Sequence, residues 1–146
     1  MFNRLAMNVL PPGSRWGCQV RFWVDGRDVV EAALDADGRG PLAPQVLRAD
    51  RPGPLAATGE ARRLRLGEPV CTGGCCGFLT AVVQRCGGLV VWSDWEGPYQ
   101  DQLPLDFHFE AEQYDAELAR AVGDRWWDTS TGRASRLSAR ADDTGL

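Results

Sequence analysis

The sequence contains no lysine and no isoleucine, and histidine occurs once. All 16 positive charges are therefore arginine, and the aliphatic core has to be built from Val, Leu and Ala. A GC-rich genome, whose codons favour Arg, Ala, Gly and Val, accounts for both absences. We therefore attach no function to the arginine bias.

A long apolar run is also absent, which argues against two kinds of targeting segment. The N-terminal apolar stretch is interrupted by Asn8 and ended by Pro11 and Pro12, whereas a membrane span needs about 20 apolar residues. The same stretch is too short and too polar for a signal peptide. These features predict a cytoplasmic protein with no membrane contact, in which the five cysteines are reduced.

Positive charge is outnumbered, since the net charge is −4. General nucleic-acid binding needs a basic surface that neutralises phosphates, so we expect no nucleic-acid partner. Residues 1–65 carry ten Arg and seven acids, whereas residues 66–146 carry six Arg and thirteen acids. The acidic second half is typical of a solvated face, and it would also attract a basic partner.

The N-terminal half predicts a hairpin followed by a long loop. Residues 16–24 alternate between apolar and polar positions, as a half-buried strand does. Asp25-Gly26 is a strong turn signal, so we expect a second strand over residues 28–34. Residues 35–59 are rich in Pro and Gly and show no periodicity. They predict a loop that is either a mobile insertion or a binding loop.

The C-terminal half predicts three more strands and one helix. Strands are expected over residues 61–70, 78–84 and 89–95, where apolar and β-branched positions recur. Residues 110–122 carry apolar side chains at spacings of three and four, which is the pattern of an amphipathic helix. Gly123 is its expected stop.

The connection between strands 78–84 and 89–95 decides which side chains face each other. If residues 85–88 form it, Val82 lies opposite Val91 and Phe78 lies opposite Trp95. Aromatic and β-branched pairs of this kind each contribute about 0.2–1 kcal/mol.

These elements predict an α+β fold. We expect a mainly antiparallel sheet of about five strands with one C-terminal amphipathic helix packed on it. Residues 1–128 would form this single domain, and residues 129–146 a flexible or partly helical tail.

Three cysteines within six residues are the one local feature with chemical content. Thiolates are soft metal ligands, so Cys71, Cys75 and Cys76 predict a candidate site for zinc or another thiophilic ion. Cys86 or the single histidine, His108, is a candidate fourth ligand. The spacing differs from the two-residue spacing of zinc knuckles, and buried thiols also pack simply as small apolar groups.

Two other chemical readings of these residues remain open. A redox role would pair Cys71 with Cys75, or use Cys75 and Cys76 as vicinal thiols. An enzyme would use His108 as a base, oriented by Asp106 or Glu110 on the same face of a strand. A polar strand edge has the same appearance, and no nucleophile motif accompanies the histidine.

The central run of the chain resembles a family of small uncharacterised proteins from high-GC actinobacteria. The residues that carry the resemblance are CTGGCCGFLTAVVQRCGGLVVWSDWE, DFHFEAEQYDAELARA and DRWW, within residues 62–127. They match a CTxxCCG segment followed by a VVWxxW strand, and Cys71, Cys75 and Cys76 fall within the pattern. Cys86 lies outside it. The resemblance implies no activity.

Together these observations favour a non-catalytic protein-interaction module in the cytoplasm. Its expected surface is the 35–59 loop with the acidic helix, and its partner is another protein or a second copy of the chain. The alternative is a metal-binding protein that uses the Cys71, Cys75 and Cys76 turn.

Overall fold

A computed structural model describes residues 2–13, 16–50, 52–71 and 73–128. Only the main chain of Gly73 and Cys75 is described. The chain has the predicted α+β class, with antiparallel strands and a C-terminal helix that packs on them. The described strands form two sheets, of three and four strands, rather than one sheet of about five. The predicted tail, residues 129–146, lies outside the described residues.

The first sheet has the order β1–β2–β3, with strands Leu5–Leu10, Gln19–Val24 and Arg27–Asp28. The turn predicted at Asp25-Gly26 is confirmed. Its two residues have φ of 53° and 84°, the positive values that a tight two-residue hairpin turn needs. Strand β1 has no counterpart among the predicted strands.

The strand predicted over residues 28–34 is wrong, because the chain enters helix α1 (Val29–Leu34) after only two paired residues. The Asp28 side chain accepts hydrogen bonds from the amides of Val30 and Glu31, which caps the helix. The apolar residues of this segment are buried at helical rather than alternating spacing; they are Val29, Val30, Ala33 and Leu34. Cap and burial together outweigh the β-propensity of the two valines.

The second sheet has the order β4–β5–β6–β7. Its strands are Arg62–Gly67, Leu79–Cys86, Leu89–Glu96 and Phe107–Glu110. All of its neighbours pair antiparallel.

The register predicted for the β5–β6 hairpin is wrong. Cys86 pairs with Leu89, so the turn contains two residues instead of four. Gly87 has a φ of 63° at its first position, which a glycine accommodates without strain. As a result Val82 lies opposite Ser93 rather than Val91.

Main-chain hydrogen bonds link the four-stranded sheet to the N-terminal part of the chain at two places. At one junction the Asn3 amide donates to the His108 carbonyl over 2.8 Å. At the other, Arg39 and Glu68 exchange both of their main-chain bonds, at 2.9 and 2.8 Å. Residue pairs far apart in the sequence therefore fix how these two parts of the chain meet.

Trp92 lies at the centre of the core and is fully buried. Its ring meets Phe22, Phe109 and Tyr114 edge-on, with centroids 5.6, 5.3 and 6.2 Å apart. Such pairs contribute about 0.5–1.5 kcal/mol each beyond the area they bury. Tyr114 belongs to the C-terminal helix α4 (Ala111–Gly123), which follows the short helices α2 and α3 described below. The helix predicted over residues 110–122 is therefore confirmed.

The Pro- and Gly-rich segment 35–59 is packed into the core. It contains the short helix α2 (Ala43–Val46), and Leu47 and Leu55 are each at most 1% exposed. The Tyr114 hydroxyl donates to the Leu55 carbonyl over 2.6 Å, which ties the segment to α4. None of the helices in the described ranges is long and apolar enough to cross a membrane.

Candidate functional site

The cysteine turn joins β4 to β5 and contains the one-turn helix α3 (Gly73–Cys76). Cys71 precedes this turn and Cys76 ends it, and their Sγ atoms are 2.7 Å apart. Both residues are exposed. Gly77 leaves the turn with a φ of 100°, a value that L side chains rarely adopt. The turn therefore presents two sulfurs in contact at the surface.

Arg39 holds the near end of the cysteine turn. Its Nη2 donates to the carbonyls of Pro69 and Val70, each over 3.2 Å. Its main chain pairs with Glu68 in both directions. A residue from segment 35–59 thus fixes the stretch of chain that leads directly to Cys71.

The structure brings together only part of the predicted metal-ligand set. His108 is exposed on β7, at the opposite edge of the four-stranded sheet from β4, which leads to Cys71. Cys86 ends β5, whereas Cys76 lies just before the other end of that strand. Across the described side chains, no group of three or more His, Cys, Asp or Glu is placed to hold a metal ion. The Cys75 side chain is outside that description, so the set stays a prediction.

The main chain of His108 joins β7 to the residues that precede β1. Its main-chain N donates to Asn3 Oδ1 over 2.8 Å, and its carbonyl accepts from the Asn3 amide. These bonds hold the edge of β7 against the start of β1. Glu110, on the same exposed face, is the residue before α4.

A cleft of about 260 Å³ lies beside the cysteine turn. Two half-buried aromatic rings line it, and each carries a guanidinium. Arg39 lies 4.3 Å from the Trp16 ring centroid, and Arg65 lies 3.9 Å from that of Phe78. The remaining lining residues are Gly40, Pro41, Leu42, Gln45, Gly67 and Glu68. Aromatic rings and arginines are the residue types enriched where proteins bind each other most strongly.

Sequence reasoning assigned Trp16 and Phe78 to strands and missed this cleft. Trp16 precedes β2 and Phe78 precedes β5, so neither takes part in a ladder. The Arg39–Glu68 pair brings the two rings to one place. A non-local pair of this kind leaves no periodic signal in the sequence.

Strand β4 is an edge strand that runs from Arg62 to this cleft. Within the described chain its ladder bonds go to β5, and the Arg39–Glu68 pair lies just beyond its end. Among the described residues, the outer main-chain groups of Arg62 to Arg65 have no hydrogen bond to another segment, whereas Leu66 and Gly67 at the end of the strand are buried. Exposed edges of this kind are templates for pairing with another strand.

The edge of β1, in contrast, is covered by side chains of α4. Gln113 exchanges hydrogen bonds with both main-chain groups of Leu5, at 2.9 and 2.6 Å. Glu117 accepts from the Met7 amide, and Arg120 donates to the Met7 carbonyl. The acidic helix that we expected to bind a partner thus uses these polar residues within the fold.

The contact between α4 and β1 also changes the acidity of Glu117. Burial by itself would raise the pKa of this carboxyl, but hydrogen bonds from Arg120 and from the Met7 amide outweigh it. The pKa therefore lies below its ordinary value. Arg120 gains from the same pair, because its hydrogen bond to Glu117 raises its own pKa.

A second, wider groove of about 450 Å³ lies on another face. It is bounded by the first sheet, α1 and the segment that follows the 3-10 turn Gln100–Gln102. Leu105 projects there with 85% of its surface exposed. Asp25, Arg27 and Asp101 are its charged lining residues.

The chain matches none of the protein-family models, curated proteins or solved structures with which it was compared. The actinobacterial resemblance therefore stays a prediction.

Proposed function

We propose that this chain is a non-catalytic protein-interaction module that binds an extended acidic peptide along the outer edge of β4. The observation that carries the proposal is the difference between the sheet edges. Side chains of α4 cover β1, and Asn3 pairs with β7, whereas β4 is open beside an aromatic cleft. An added strand would use the exposed main-chain groups for affinity.

The charge of β4 favours an acidic partner. Three of its six residues are arginine. Arg63 is paired with Asp94 and Glu96 of β6, the strand on the far side of β5. Arg62 donates to main-chain carbonyls, and Arg65 lies on the Phe78 ring, so both guanidinium charges remain available to a carboxylate. Complementary charge of this kind raises the association rate and selects the partner.

The cleft supplies a pocket at the end of that edge. Trp16 and Phe78 offer apolar ring surface, and the arginines stacked on them are held in place at little entropic cost on binding. An extended peptide on β4 would place one side chain between these rings. The expected ligand therefore combines acidic residues with an apolar or aromatic residue.

Selection from a displayed library tests the proposal. Randomised peptides of about ten residues, a length that spans an edge strand, would be selected on the purified protein and the enriched peptide synthesised with a fluorescent label. We expect acidic sequences, measured by fluorescence anisotropy against wild type, Arg65→Glu and Phe78→Ala. Each variant should weaken binding about tenfold or more. Arg27→Glu, an exposed arginine on the other sheet, is the matched control.

Hydrogen exchange would show where on the protein the peptide binds. Amides of β4 should gain protection when the peptide is added, because an added strand closes that edge. Three results contradict the proposal: enriched peptides without acids, protection at another strand, or an Arg27→Glu loss equal to that of Arg65→Glu. A dimer that buries β4 against a second copy contradicts it as well.

A metal-binding function fits the cysteine turn less well. Two thiolates on one tetrahedral zinc lie about 3.8 Å apart, from zinc–sulfur bonds of about 2.3 Å. The Sγ atoms of Cys71 and Cys76 are closer than that, at 2.7 Å. The turn would have to open before these two sulfurs shared an ion.

A further inference from the structure

We infer that Cys71 and Cys76 are a redox-modification site, at which a reversible disulfide forms between their sulfurs. The pair is distinct from the pairings that the sequence suggests, Cys71 with Cys75 and Cys75 with Cys76. It rests on the position of the two Sγ atoms, and it holds whether or not β4 binds a peptide.

The distance between the sulfurs is the first support. Nonbonded carbon atoms pack at about 3.5–4.0 Å, and sulfur is the larger atom. The 2.7 Å between the two Sγ atoms is therefore closer than packing contact. Only a small movement separates this pair from a bonded geometry.

The backbone of the turn is the second support. Helix α3 makes a single turn between the two cysteines, and Gly77 ends it in a conformation that suits glycine. Arg39 fixes Pro69 and Val70 ahead of Cys71. The two residues are thus positioned by the fold, so bond formation requires little further ordering.

Exposure is the third support. Cys71 and Cys76 are both exposed, so a small oxidant reaches them without unfolding the domain. Exposed disulfides belong to the labile and regulatory class, because their higher reduction potentials make them readily reduced. A reversible bond is therefore expected here rather than a permanent staple.

The chemistry is thiol–disulfide exchange with a low-molecular-weight disulfide. One cysteine thiolate attacks a sulfur of the small disulfide, breaks its S–S bond and releases one small thiol. The other cysteine then attacks the mixed disulfide, forms the Cys71–Cys76 bond and releases the second small thiol. Two protein thiols are oxidised, one small disulfide is reduced, and the two protons leave on the released thiols.

Mass spectrometry of the full chain tests the pairing. Cleavage after Arg65 and Arg85 yields one peptide that contains Cys71, Cys75 and Cys76. After treatment with glutathione disulfide and alkylation, we expect that peptide to carry one alkyl group and to have lost two hydrogens. Dithiothreitol should restore three alkyl groups.

Single variants assign the bond. Cys76→Ser and Cys71→Ser should each abolish the loss of two hydrogens, whereas Cys75→Ser should leave it intact. Cys86→Ser, at an exposed cysteine on another peptide, is the matched control. Circular dichroism of each variant confirms that the domain is folded.

Two outcomes overturn the inference. One is a bond that survives in Cys76→Ser and disappears in Cys75→Ser. The other is a peptide that resists oxidation until a chelator is added, with about one zinc ion per chain in the intact protein, since the thiols would then be metal ligands.

Discussion

The Glu117 carboxylate accepts a hydrogen bond from the Met7 amide over 2.6 Å, so a helix side chain takes the place of a neighbouring strand beside β1. The same carboxylate accepts from Arg120 Nε and Nη2, each over 2.8 Å. Its side chain is only 14% exposed. One carboxylate therefore satisfies a strand amide and a guanidinium at the junction of α4 and the first sheet.

Removing this carboxylate should destabilise the domain by about 1–3 kcal/mol in Glu117→Ala, because the Met7 amide and Arg120 each lose a charged acceptor. Urea unfolding followed by circular dichroism measures the change. Glu112→Ala, an exposed acid on the same helix, is the control and should change the free energy of unfolding by under about 0.5 kcal/mol. Equal losses in the two variants would mean that the β1 contact contributes nothing.

The same residue gives a pH dependence whose sign is fixed. The pKa of Glu117 is lower in the folded chain than its ordinary value of 4.5, so its contribution is present above that pH. The contribution is lost as the pH falls through the folded-state pKa. The stability difference between wild type and Glu117→Gln should therefore be largest at neutral pH and shrink in acid. A difference that stays constant from neutral pH into acid would contradict this assignment.

Asp28 combines a helix cap with a buried ion pair. Arg21 is 6% exposed, and its Nη2 lies 2.8 Å from Asp28 Oδ2. Asp28→Asn keeps the capping oxygen but leaves the buried guanidinium without its charge partner, which should cost about 3–5 kcal/mol. The Asp28→Asn, Arg21→Met double variant should recover much of that loss in thermal unfolding. If the double variant is no more stable than Asp28→Asn, the ion pair is not the cause.

Gly40 occupies a position where the backbone of segment 35–59 comes close to β2. A Cβ atom there would lie 1.9 Å from the Val20 carbonyl oxygen, which is main chain and cannot move aside. Gly40→Ala should cost at least about 1–3 kcal/mol through overpacking. In Gly59→Ala the added Cβ would have nothing within 4 Å, so that variant should be close to wild type. Matching melting temperatures for the two would contradict the close approach.

Local signals in the sequence predicted the parts of the fold that local chemistry decides. Asp25-Gly26 predicted its turn because positive φ at both residues is a property of those residue types. The helix over 110–122 followed from apolar spacing that α4 uses for packing. The β5–β6 register was missed because either two or four residues of Arg85-Cys86-Gly87-Gly88 can form a turn, and the chain uses the two glycines alone.

The candidate site depended on contacts that no local pattern encodes. The clustered cysteines could be seen in the sequence, but the pairing of Cys71 with Cys76 arises from the single turn of α3. The cleft needs Arg39 beside Glu68, which are far apart in the sequence. The open edge of β4 also has no local signal in the sequence. Which edge stays open depends on where α4 packs, and α4 covers β1.

Tyr114 joins α4 to the segment that contains Leu55, and its hydroxyl is buried. Tyr114→Phe should cost about 1–2 kcal/mol, because the Leu55 carbonyl is left without its donor. Burial raises the pKa of this phenol well above its ordinary value of 10.0. The folded state therefore holds the proton more tightly, and its stability should fall as the pH rises above about 10, where the unfolded chain ionises. Denaturant unfolding at neutral pH and above pH 10 should show wild type losing stability faster than Tyr114→Phe, and parallel curves would exclude Tyr114 as the responsible group.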